Sequence, residues 1–285
     1  MLYFPQPVRA RLSMPRARVN GIELYYRERG EGYPVFLIHG YTGNLRNWAF
    51  QVPVLSREFR MVSMDHRGHG HSDKPTQPED YSLELMAEDA YGLLEHLGIR
   101  ECYVVGHSMG GVVAQLLALN HPEPVRALVL VDTAAEVPDG FHPQERALLL
   151  DIAREKGMEA VFEEQLRANP MEEQFRAQPV LLEVWRQQFL MTSREAYLYA
   201  ARAMVAGQSI LDKLKTIEVP TLVVCGENDD PFMGPCRRIH ERIPGSEFVI
   251  IPGAGHTPQI EKPADFNHAL TGFLSRVHQG VAAGG

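Results

Sequence analysis

Short apolar runs alternating with amphipathic stretches organise this chain. Arg16 to Glu28 alternates apolar and polar positions around Asn20-Gly21, the pattern of a hairpin with a two-residue turn. Val35 to His39 (VFLIH) is a continuous apolar run, as in a strand buried on both faces, and Phe59 to Asp65 is another strand. A helix is predicted next: Ser82 can cap it, Leu83, Met86, Ala87, Ala90, Leu93, Leu94 and Leu97 share one face, and Gly98 is placed to stop it. Cys102 to Gly106 reads as a buried strand, Met109 to His121 as a helix closed by Pro122, and Ala127 to Asp132 as a strand again. Thr221 to Gly226 and Phe248 to Ile251 repeat the strand signal, with helices after them near Pro235 to Ile243 and Pro263 to Val277. This alternation predicts an α/β fold, a mostly parallel central sheet flanked by helices.

Between Glu136 and Gln208 the rhythm breaks. No strand signal appears there, and the helical segments are rich in Leu, Phe, Met and Tyr, with Trp185 among them. A helical cap inserted between two sheet strands is expected. The implied organisation is an arm over 1–15, a core over 16–135 and 209–278, the cap over 136–208, and a tail over 279–285. The first 13 residues are expected to form a loose arm, with Met14 as an alternative start. They hold basic residues but no apolar stretch of the roughly 7–15 residues that a signal peptide needs. No run in the chain approaches the roughly 20 apolar residues that span a bilayer.

Composition changes this picture little. The 285 residues are 45% hydrophobic and 22% charged, as in an ordinary globular chain. The net charge is −8, and neither sign forms a long block, which argues against nucleic acid and against an anionic membrane surface as partners. Cys102, Cys225 and Cys236 are odd in number and widely spaced, with no Cys-x-x-Cys. A reduced, cytoplasmic protein without a disulfide framework is expected.

Candidate chemistry concentrates at Gly106-His107-Ser108-Met109-Gly110-Gly111, which follows one predicted strand and opens a helix. A nucleophilic serine needs this context, because a sharp strand-to-helix turn projects its hydroxyl. The glycines two positions either side leave room for the turn, and the helix N-terminus offers free N–H groups to a developing oxyanion. Upstream, His39-Gly40-Tyr41-Thr42-Gly43 follows its own strand end.

With these motifs the sequence resembles the α/β-hydrolase family from about Arg16 to Val277. The resemblance implies an oxyanion hole from the backbone N–H groups of Tyr41 and Met109. The Tyr41 phenol is left either pointing into the pocket or packing. It also implies a triad in chain order: Ser108 as nucleophile, an acid, then a histidine. His256, in Gly253-Ala254-Gly255-His256, is similar to the family's catalytic histidine and is followed by Glu261-Lys262-Pro263, its usual Glu-x-Pro. Asp229 matches the family's Gly-x-x-Asp pattern, with Asp230 as first alternate and Asp132 as second. His39 and His107 are expected to support the oxyanion loop and the serine turn. The run Asp65-His66-Arg67-Gly68-His69-Gly70-His71-Ser72-Asp73 invites a metal reading, but it matches a family loop that binds no metal, and its histidines lack the fixed ligand geometry of a helix.

Ser108 excludes the family branches that use an aspartate nucleophile. What remains is acyl chemistry: a carboxylesterase acting on small or medium acyl esters, with no cofactor and no metal. The partner expected is a small-molecule ester, and the chain a monomer or small homo-oligomer. Alternatives are an enol-lactone hydrolase, a carbon–carbon bond hydrolase (made less favourable by His107, where such enzymes often carry Asn) and, remotely, a non-catalytic ligand receptor. Candidate cap liners of a substrate pocket are Phe141, Met158, Phe162, Met171, Trp185, Phe189, Met191 and Tyr197.

Overall fold

The computed structural model describes residues 15–137, 143–168, 176–177 and 179–284. Among the described residues eight strands form one sheet: β1 Arg16–Val19, β2 Ile22–Arg29, β3 Tyr33–Ile38, β4 Phe59–Met64, β5 Cys102–His107, β6 Val125–Val131, β7 Thr221–Gly226 and β8 Glu247–Ile251. Their spatial order is β1-β2-β4-β3-β5-β6-β7-β8. The first two pairings are antiparallel, and the five from β4 to β8 are parallel. The helices are α1 Val52–Leu55, α2 Leu83–His96, α3 Met109–Asn120, α4 Pro143–Lys156, α5 Met158–Ala168, α6 Pro179–Phe189, α7 Arg194–Ala206, α8 Asp230–Arg242, α9 Pro258–Glu261 and α10 Pro263–Gly284. No helix among the described residues is long and apolar enough to cross a membrane.

The continuous apolar run of β3 has a simple cause. Phe36 and Ile38 face the core shared with α2, α3 and α8, while Val35 and Leu37 face the one shared with α1 and α10. A strand covered on both sides has no solvent face on which to place polar residues. The β1–β2 turn has Asn20 at φ 45° and Gly21 at φ 82°, the left-handed pair that a two-residue hairpin requires. Ser82 caps α2 by accepting from the Leu85 N–H (3.0 Å).

Among the described residues, helices α4 to α7 lie between β6 and β7 and have a small core of their own, in which Phe162, Leu166, Phe189 and Tyr197 are buried. Phe141, Met171 and residues 1–13 lie outside the described residues. Strand ends differ from expectation by one or two residues, as at Tyr33 and Val125. The larger difference is α8, which starts at Asp230 with Pro231 in its first turn and runs through Pro235. Pro235 reads as a helix start because proline removes a backbone donor, yet here it sits only one turn inside. Cys102, Cys225 and Cys236 are all buried and free.

One ion pair ties the antiparallel edge to the helical layer. Arg67 and Asp89 are buried and paired through two bonds, Nε to Oδ2 (2.6 Å) and Nη2 to Oδ1 (2.8 Å). Arg67 also donates to the Asp80 carbonyl, and Asn20 of the hairpin turn donates to Asp89. Removing one partner would leave a buried charge without compensation. Asp89→Ala is expected to cost about 3–5 kcal/mol of unfolding free energy, measured in denaturant, whereas an exposed pair such as Arg126–Glu101 should cost under about 1 kcal/mol.

Candidate active site

Ser108 sits between β5 and α3 at φ 52°, ψ −121°, a left-handed conformation that an L side chain rarely adopts. Two glycines make that turn possible by close approach. A Cβ on Gly106 would lie 2.3 Å from the Gly110 carbonyl oxygen, and one on Gly110 would lie 2.4 Å from that of His39. The Ser108 backbone is held in turn: its N–H donates to Val131 O (2.9 Å), and its carbonyl accepts from the Thr133 hydroxyl (2.7 Å).

His256 faces this serine from the loop after β8. The Ser108 hydroxyl lies 2.9 Å from His256 Nε2, and His256 Nδ1 lies 2.8 Å from Asp229 Oδ2. The network is satisfied when Nδ1–H donates to the carboxylate and Nε2 accepts from the hydroxyl. Asp229 is 5% exposed, while its neighbour Asp230 is exposed as the first residue of α8. The adjacent-aspartate ambiguity is thus resolved in geometry: Asp229 is the one that meets His256. The histidine loop is fixed by its own bonds. Glu261 accepts from the Gly255 and Thr257 N–H groups (2.7 and 2.9 Å), and His107 Nε2–H donates to the His256 carbonyl (2.7 Å).

Tyr41 and Met109 both border the same cavity as Ser108 and His256. Met109 is the first residue of α3, so its N–H has no acceptor within the helix. The Tyr41 phenol turns away: it donates to the Tyr197 carbonyl (2.5 Å) and stacks on the Tyr197 ring with centroids 5.2 Å apart. Behind the loop, His39 Nδ1–H donates to Gly40 O (2.8 Å), while its Nε2 accepts from the His66 N–H (3.0 Å). His66 Nε2–H returns to His39 O (3.1 Å), and His69 Nδ1–H donates to Arg67 O (2.9 Å). Each ring holds a backbone partner, and among the described residues the three do not form a group whose ligating atoms converge. Asp65 accepts from the Leu45 and His71 N–H groups (2.7 and 2.8 Å).

Among the described residues, Asp132, Cys225 and Asp229 form the group of three whose ligating atoms lie within 4.8 Å of one another. Asp229 is engaged by His256, and Asp132 accepts from the Gly226 N–H (2.8 Å), so the group is not an open metal cage. The cavity above Ser108 measures about 1400 Å³. Of the candidate liners, Trp185 and Phe189 border it, whereas Phe162 and Tyr197 pack the helices to one another. Sequence reasoning missed Leu83, Val112, Leu116 and Phe232, which also line it. Their only signal was the apolar face of a core helix, and that signal does not distinguish a cavity wall from packing.

Burial drives four imidazoles toward the neutral form. His39 is held well below the usual histidine range, His66 and His107 are pushed down to about 3, and His69 to about 4. Unfolded, each would take a proton near 6.5, so the unfolded chain binds more protons once the pH falls below that value. The stability these groups contribute is complete above pH 6.5 and is lost progressively down to their folded values. Unfolding free energy is expected to fall on acidification from about pH 6.5 to about pH 4, by up to about 1.4 kcal/mol per pH unit per histidine. Urea titrations at stepped pH check this, and a flat profile would contradict it.

Comparison with known proteins places the fold in a family. Residues 33–170 match the family described as alpha/beta hydrolase fold. The enol-lactonase from Burkholderia xenovorans LB400 superposes with a TM-score of 0.83 at 32% identity, covering 92% of this chain and 100% of that one. A thermophilic esterase from Thermogutta terrifontis gives 0.81 at 33% identity, covering 93% and 99%. The 3-oxoadipate enol-lactonase 2 of Acinetobacter baylyi is 28% identical, over 82% of this chain and 85% of its own length. The chain belongs to the α/β-hydrolase fold family, and a hydrolase is the enzyme class these relatives support.

Proposed function

We propose that the chain is a carboxylic ester hydrolase working through an acyl-enzyme on Ser108. The observation that carries this reading is the unbroken relay from Asp229 through His256 to Ser108, at 2.8 and 2.9 Å. His256 takes the hydroxyl proton as Ser108 attacks the ester carbonyl. The Tyr41 and Met109 N–H groups hold the oxyanion, and His256 then protonates the leaving alcohol. Water activated by His256 releases the acid and restores the serine. Asp229 keeps the imidazole in its working tautomer and stabilises the imidazolium.

The cavity supports a substrate larger than an acetyl ester. At about 1400 Å³ it exceeds the roughly 300–1,000 Å³ common for small-molecule sites, and its walls include Leu116, Trp185 and Phe232. The helices α4 to α7 then act as a cap. A second reading is hydrolysis of an enol-lactone, favoured by the 32%-identical enol-lactonase. A lactone is a cyclic ester, so the same relay would open it, with the leaving oxygen still attached to the acyl group.

A chromogenic p-nitrophenyl ester series tests both readings alongside a lactone panel. Ser108→Ala is expected to abolish turnover. Asp229→Asn should lower kcat by about 10³–10⁴-fold, and Asp230→Asn should leave it within about twofold. The reverse ranking of the two aspartates would overturn the relay. Lactone turnover with silent linear esters would select the second reading.

A further inference from the structure

Asp132 follows β6 and lies directly behind the relay. It is wholly buried and adopts φ 42°, a left-handed backbone that aspartate and asparagine tolerate better than most residues. Its Oδ1 accepts from the Gly226 N–H (2.8 Å), at the end of the strand that carries Asp229. Its Oδ2 is buried and finds no donor. Within 4.8 Å of its carboxylate lie an Asp229 carboxylate oxygen and the Cys225 sulfur. The thiol of Cys225 donates to Gly226 O (3.5 Å) and also interacts with Asp132 and Cys236, and that of Cys236, on α8, donates to Thr133 O (3.4 Å). Of the groups that bear directly on Asp132, none is a cation.

An ionised Asp132 would suffer twice, from an unsolvated oxygen and from a second carboxylate beside it. One proton removes both penalties. The protonated oxygen becomes a donor, and the carboxylate beside it is that of Asp229, whose Oδ2 meets His256. We infer that Asp132 is a neutral carboxylic acid that donates to Asp229 and holds that carboxylate in line with His256. Burial first, then Cys225 and Asp229, make its proton harder to lose and hold its pKa well above the usual carboxylate range. Asp132 is therefore a positioning residue, acting through Asp229 and touching no substrate. The inference rests on the reading of Ser108, His256 and Asp229 as the relay.

Asp132→Asn provides a sharp test, because the amide reproduces the neutral acid: its oxygen accepts from Gly226 and its NH₂ donates to Asp229. Ester kcat/KM should stay within about twofold and the acid limb of its pH profile should not move. If Asp132 were ionised, the same substitution would delete a negative charge near His256. The acid limb would then move to lower pH, which would overturn the inference. Asp132→Ala loses both bonds, so kcat/KM should fall by about tenfold or more. Its acid limb should move up, because an Asp229 carboxylate without its donor attracts the imidazolium proton more strongly. Two readouts need no turnover. The wild-type minus Asp132→Asn infrared difference at neutral pH should contain a protonated-carboxyl carbonyl stretch. If that variant fails to fold, the ¹³C carboxyl resonance of Asp132 in labelled wild type should stay at its protonated position from about pH 5 to about pH 9. Absence of both signatures sinks the inference. A chain silent on every ester yet carrying the protonated signature would instead fail the catalytic reading and keep the acid pair.

Discussion

A serine at φ 52° keeps that conformation only because the helix behind it presses onto the neighbouring strand. The N-terminus of α3 approaches the end of β3 so closely that a Cβ on Gly110 would come within about 2.5 Å of two backbone carbonyls, those of His39 and Ile38. That contact compresses the turn between β5 and α3 and pushes the Ser108 side chain outward. It also brings the loop after β3 against the serine, since a Cβ on Gly40 would lie 3.0 Å from Ser108 Cβ. The strain of the turn, of order 1–3 kcal/mol, is held by the parallel sheet on either side. Ser108 N–H bonds to β6, and residues of β3 pair with both β4 and β5.

Around this turn the protein spends polar groups on backbone alignment and keeps them neutral. His39, His66 and His69 are fully buried, yet each satisfies a carbonyl or N–H that a loop would otherwise leave bare. A cation in their place would carry a desolvation cost. Arg67 is the exception, and it is compensated by Asp89 in two directed bonds. The site thus rests on a polar scaffold whose donors are aimed at backbone.

The fold was legible in the chain because strands buried on both faces leave continuous apolar runs, and caps such as Ser82 and the Asn20-Gly21 turn punctuate them. Ser108 was legible because the turn chemistry demands Gly106 and Gly110. Asp229 was less so: two adjacent aspartates differ only in whether the chain has yet entered α8, and a helix containing Pro231 and Pro235 hides its own start. The Tyr41 phenol could not be placed, since its acceptor is a main-chain oxygen 156 residues away. Asp132 was visible only as an alternate acid. Its actual situation, an orphan oxygen beside a second carboxylate, is a product of burial and leaves no pattern in the sequence.

The order of the strands explains why these groups meet. Ser108, Asp132, Asp229 and His256 follow β5, β6, β7 and β8, which are neighbours in that order, so the whole set lies along one carboxyl edge of the sheet. Adjacent strands are about 4.8 Å apart, so His256 starts three strands away from the serine and its loop must fold back across the edge. The return is anchored at several points. Glu227 and Asn228 donate to Ile251 O and Ala254 O, the Glu227 carboxylate takes the Gly253 N–H, and His107 grips the His256 carbonyl. Asp229 sits under the middle of this arch, with Asp132 beneath it on the intervening strand. A side chain in that position can align the acid without ever reaching the cavity, which leaves the helices over Ser108 to vary with the substrate while the arch below them stays fixed.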